Sequence, residues 1–180
     1  MAEARVERAR IPEARVEREH AESDGLVRAG VVTGLLAGTL MLAWAMAGAA
    51  LADLPATRPL AATAATFGGD AATIGPGGIL AGALIWAGVS VALALLFAMF
   101  VPADFPFGSA APIGVGYAFA VLAVMAGAVL PRVNPDMRRA FAESGGAWVL
   151  AFTVFGVSLG LLPAIRRRLA SGRAPARPRD

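Results

Sequence analysis

Residues 29–52, AGVVTGLLAGTLMLAWAMAGAALA, run for 24 residues without a charge between Arg28 and Asp53. As an α-helix this stretch is about 36 Å long, slightly more than the roughly 30 Å hydrocarbon core of a bilayer. Backbone N–H and C=O groups find no water in lipid, so a helix is the form the stretch must take there. Gly30, Gly34 and Gly38 recur every four residues and therefore share one face. Between helices in lipid there is no hydrophobic gain, and close backbone approach over small residues supplies the attraction instead. The stretch reads as a membrane helix with a glycine face for a neighbour.

Charges mark off three further apolar intervals, Asp70 to Asp104, Asp104 to Arg132 and Glu143 to Arg166, each long enough to cross. Prolines trim them. Pro76 opens the second helix and Pro102 stops it, while Pro112 stands near the start of the third and Pro131 ends it. The predicted spans are about 28–51, 77–101, 112–130 and 146–165. The fold class expected is all-α, an integral membrane bundle of four transmembrane helices. A soluble domain of this size would need more polar surface than a chain that is 57% apolar provides. The bundle occupies 26–166, between a polar tail, 1–25, and a basic tail, 167–180.

The N-terminal tail repeats Glu3-Ala-Arg-Val-Glu-Arg8 as Glu13-Ala-Arg-Val-Glu-Arg18, a period of ten that fits no heptad and is interrupted by Pro12. Val6, Ile11 and Val16 are too few for a core, so a disordered or transiently helical segment is expected. It is too long and too acidic for a signal peptide. Twelve of the sixteen arginines lie at the two ends, up to Arg28 and from Arg166 onward. That bias puts both termini in the cytoplasm, which an even number of spans allows. Arg132, Arg138 and Arg139 then lie outside, against the trend. In the first outer loop, Pro59 to Phe67 is apolar but too short to cross, and predicts a short helix at the surface or capping the bundle.

Several chemistries are excluded by composition. The chain has no cysteine and no lysine, so thiolate metal sites, cysteine nucleophiles and Schiff-base lysines are absent. The sole histidine, His20, lies in the polar tail. Asp53, Asp70, Asp104 and Asp136 stand at helix ends or in loops, so proton relays and intramembrane catalysis lack the buried ionisable group they need. Gly75-Pro-Gly-Gly78 lacks the pattern of a phosphate loop. No metal or cofactor is implied.

Two sets of residues stand out. Gly30, Gly34 and Gly38, with Gly78 and Gly82, and Gly156 and Gly160, form small-xxx-small pairs for helix packing. Packing within one bundle is the favoured use, and a homo-oligomer or another membrane subunit the alternative. Arg166, Arg167 and Arg168, with Arg173, Arg177 and Arg179, could hold anionic lipid headgroups. They lack the interleaved aromatics that nucleic-acid stacking uses, so no nucleic-acid partner is expected. Thr33, Thr39, Ser90, Tyr117, Thr153 and Ser158 are the hydroxyls at membrane depth; such groups most often bond back to their own helix.

Leu130-Pro-Arg-Val-Asn-Pro-Asp-Met137 followed by Trp148-Val-Leu-Ala-Phe-Thr-Val-Phe-Gly-Val-Ser-Leu-Gly-Leu161 resembles a group of uncharacterised bacterial four-helix integral membrane proteins. Ala81-Gly-Ala-Leu-Ile-Trp-Ala-Gly-Val-Ser90 and Gly34-Leu-Leu-Ala-Gly38 are similar too, so the resemblance covers about residues 28–165. It brings no activity with it. Such relatives often place a histidine where Trp86 and Phe152 stand here, so a metal or haem role does not carry over. The function expected is that of a non-enzymatic structural or accessory membrane subunit. The alternative is a small transporter or channel for a neutral or apolar solute. A wet, polar cavity joining the mid-membrane hydroxyls would favour the transporter, and dry packing the subunit.

Overall fold

The computed structural model describes residues 3–68, 75–133 and 145–171, with 3–22 as backbone only. Four of its helices are long and apolar enough to span a membrane, and the described residues contain no strand. The chain is an all-α bundle. Helix α1 runs from Glu3 to Leu51, α2 from Arg58 to Gly68, and α3 from Pro76 to Phe100. Helix α4, Phe107–Val124, passes through a π-helical turn, Met125–Val129, into α5, Leu130–Val133. The last pair is α6, Gly145–Leu159, and α7, Leu162–Ser171.

Helix α1 is the hub: it packs on α3, on α6 and on α7, while α4 packs on α6 and α2 on α3. The glycines explain how closely. A methyl group on Gly34 would come within 2.7 Å of Val91 Cα and 2.9 Å of the Ser90 carbonyl oxygen, so α1 and α3 touch backbone to backbone. Gly38 lies against the Ser90 hydroxyl and Gly30 against Leu95, which runs the two helices antiparallel. A second such seam joins α4 and α6, where Gly156 meets Gly114 and Val115, and Gly160 meets Ala111. Between the seams Phe97, Phe155, Leu159 and Leu162 are fully buried. Large apolar side chains such as Leu80, Leu84, Met99 and Phe100 stay exposed around the outside, as suits a lipid-facing surface.

The boundaries differ from expectation in four places. The polar segment, expected to be disordered or transiently helical, is helical from Glu3. Ala, Glu and Arg are strong helix formers, and the span below supplies the nucleus that an isolated tail would lack. Helix α4 begins five residues early, at Phe107, with Pro106 as its N-cap and Pro112 inside it. The N–H that Pro112 lacks would have bonded Gly108, an exposed position near the helix end. The third span also continues through Pro131 instead of stopping there. At Pro131 the ladder loses a donor for Gly127, and the turn just before it opens to the π form, with the Leu130 N–H on the Met125 carbonyl. Arg132 Nη1 donates to the Ala128 carbonyl at 2.6 Å within that widened stretch. The fourth span tightens at Gly160 and Leu161, ahead of Pro163, and resumes as α7 to Ser171.

The short loop helix is present as α2, and it docks. Leu60 and Ala64 are buried, and the Leu60 carbonyl lies directly against Gly82 of α3. Helix α1 ends above it in a Schellman turn: Leu54 N–H reaches the Ala49 carbonyl at 3.0 Å and Asp53 N–H the Ala50 carbonyl at 3.2 Å. Asp53 takes the left-handed conformation there, φ 55°. Residues 69–74, 134–144 and 172–180, with Asp70, Asp136, Arg138, Arg139 and most of the basic tail, lie outside the described residues.

Candidate functional site

Following α3 from its first turn, Gly82 is covered by α2. Eleven residues further on, the Leu93 carbonyl accepts a hydrogen bond of 3.0 Å from the Tyr117 hydroxyl of α4. The Tyr117 ring also lies 5.4 Å from that of Phe97, tying α3 to α4 at this level. Between these two closures the helices do not fill the space. A cavity of about 150 Å³ remains, with Met41, Thr63, Trp86, Met125, Trp148 and Phe152 on its walls, drawn from α1, α2, α3, the π-helical turn and α6.

The polar atoms around it are turned away. Trp86 Nε1 donates to the Gly38 carbonyl of α1 at 2.9 Å. Thr63 Oγ1 bonds back to Pro59 at 2.8 Å and Thr66 Oγ1 to Ala62 at 3.0 Å. Ser90 is packed onto Gly38. What faces the space is ring, thioether and aliphatic carbon, so the cavity is apolar. The widened turn helps to build it: in a regular helix Met125 and Leu130 would diverge, yet both line the same wall here.

Two of the other hydroxyls at membrane depth behave similarly. Thr153 bonds the Val149 carbonyl at 2.8 Å and Ser158 the Val154 carbonyl at 2.7 Å, each on its own helix. Thr33 is fully buried and its Oγ1 has no hydrogen-bond partner among the described residues. Thr39 is exposed. Among the described residues no three His, Cys, Asp or Glu side chains stand together as metal ligands.

The glycines singled out in the sequence occupy seams, not the cavity. Gly30, Gly34 and Gly38 face α3, Gly82 faces α2, and Gly156 and Gly160 face α4, while Gly78 is buried near the start of α3. Their unpredicted counterpart is the buried row Ala110, Gly114 and Ala118 on α4, which has the same four-residue spacing with alanine in two places. Of the three arginines, two are engaged by the protein itself. Arg167 Nη1 donates to the carbonyls of Ala103 at 3.0 Å and Phe105 at 3.3 Å, and Arg166 Nη1 lies 3.4 Å from that of Val101. Arg168 is exposed. The cavity itself, with Tyr117 as an interhelical donor, escaped the sequence reading. No protein-family model, curated protein or solved structure matches the chain, so what its seams and cavity do has to be argued from the geometry alone.

Proposed function

We infer that this chain is a non-enzymatic integral membrane protein, a structural or accessory subunit in a bacterial inner membrane with both termini cytoplasmic. The observation that carries this reading is where the polar groups at membrane depth point. Tyr117, Trp86, Thr153 and Ser158 all donate to backbone carbonyls, which occupies donors that a polar path would use. A carrier of polar cargo needs such groups free, whereas a scaffold uses them as interhelical clamps and local caps. The exposed Arg168 of α7 suits contact with anionic headgroups on the cytoplasmic face. Purification in mild detergent, with identification of whatever co-elutes, tests the role: a membrane protein in fixed proportion is expected, and a chain that elutes alone at every detergent strength counts against it. Reporters fused after Asp180 and within the first ten residues should both read cytoplasm, and one near Phe67 the outside. A C-terminal reporter found outside would overturn the orientation.

A second reading, a small transporter for a neutral or apolar solute, is favoured by the cavity. It requires uptake of such a solute into vesicles containing the protein alone.

A further inference from the structure

Helices α3 and α4 are not packed along their lengths, in contrast to the α1–α3 and α4–α6 seams. Tyr117 bridges them at Leu93 and Phe97; before that level on α3, the space between Ile85, Trp86 and Val89 and the π-helical turn is the cavity. We propose that this cavity is a binding site for the terminal segment of a lipid acyl chain, entering sideways from the bilayer between α3 and the π-helical turn.

Three properties of the space select that ligand. Its walls offer little polarity: Trp86, Thr63 and Thr66 spend their polar atoms on backbone carbonyls, and the Ser90 hydroxyl is packed onto Gly38. Water in such a space would lack the partners it needs, and an apolar cavity of about this volume stays dry and accepts small hydrocarbons instead. Its depth matches a chain end. Trp86 stands ten residues inside α3, about 15 Å along the axis, near the middle of a bilayer core of roughly 30 Å. The termini of the lipid chains meet at that depth. Its exits also favour lipid over a dissolved solute, because α2 walls the cavity at one end of the seam and the Tyr117–Phe97 contact at the other. The side of the seam facing bilayer hydrocarbon is the way in. Met41 and Met125, flexible and polarisable, suit a ligand whose chain length and unsaturation vary. The proposal rests on the chain being membrane-embedded, not on its being an accessory subunit.

The indoles of Trp86 and Trp148 on the cavity wall provide the readout. With Trp44→Phe removing the exposed third tryptophan, the protein is reconstituted in phosphatidylcholine vesicles containing a small fraction of lipid brominated near the chain end. Bromine quenches indole fluorescence on contact. Quenching should saturate at a low fraction of brominated lipid, well ahead of the gradual rise given by random mixing at the protein surface. Val129→Phe and Val89→Phe, which fill the cavity from opposite walls, should each abolish the saturating component while the helical signal is kept. A purely gradual rise in the parent protein, which needs no variant to interpret, would overturn the proposal. So would equal saturation in the parent and the filled variants. Bromobenzene added to vesicles of unbrominated lipid is the final arm. If it quenches in a way Val129→Phe abolishes while brominated chains do not, the site takes a free solute, and the lipid assignment is wrong.

Discussion

Gly34 and Gly88 carry the same side chain in facing spans and should respond to substitution with opposite signs. A methyl on Gly34 meets the backbone of α3, which has no flexible end to give way, while one on Gly88 meets nothing within 4 Å. Gly34→Leu should therefore force α3 off α1, lowering stability in detergent by about 1–3 kcal/mol without impairing insertion. Gly88→Ala should raise it by up to about 1 kcal/mol through helix propensity. Thermal unfolding of the two variants beside the parent checks both, and equal or greater stability for Gly34→Leu would remove the glycine face as an organising contact. Thr33 makes a different kind of claim. Its buried hydroxyl has no partner among the described residues, so Thr33→Val should stabilise the bundle, by roughly 1 kcal/mol from the lost desolvation penalty. A drop in melting temperature would mean that the hydroxyl is bonded after all.

The elements were unequally legible in the sequence. Charge-free length is a direct measure of a span, and glycines four apart are a direct sign of a face, so α1, α3 and the packing face of α1 could be read from the residues, but not that α3 is the helix it meets. Pro112 misled because a proline in the first turns of a helix has the same sequence signature as one at its start. The row Ala110, Gly114 and Ala118 was missed because alanine serves close packing as glycine does but is too common in such a chain to stand out. The cavity could not be read at all. Its walls come from six elements, and the carbonyls that receive Trp86 and Tyr117 carry no residue identity. The π-helical turn is open to a direct test, since it accommodates one more residue than a regular turn. Deleting Gly127 should let the turn close into ordinary helix, keeping Val121 and Leu130 on their present faces and the protein folded. Deleting Ala94 from regular α3 rotates everything beyond it by about 100° and should abolish folding. Size-exclusion profiles of the two deletions separate these outcomes, and loss of fold on removing Gly127 would mean that the widened turn is itself required.

At the scale of the whole molecule, the three arginines of α7 divide into two tasks. Arg166 and Arg167 hold the carbonyls of the α3–α4 connection, so replacing both by glutamine should lower stability by on the order of 1 kcal/mol. Arg168→Gln should leave stability unchanged and weaken attraction to vesicles of anionic lipid; a reversed pattern would mean that the structural and lipid-facing arginines had been exchanged. The way these contacts are distributed also imposes an order in time. Helix α1 can settle on α3 as soon as both have left the ribosome and entered the membrane. Helix α4 has its principal partner in α6, which is synthesised afterwards, and the arginine clasp comes later still. Until then α4, with Pro112 and the widened turn already in it, must persist in lipid as a lone helix held by one tyrosine. A chain halted near residue 144 would leave α4 in that state, with the face of Ala110, Gly114 and Ala118 uncovered. The last span is thus the keystone of assembly, although the first is its hub.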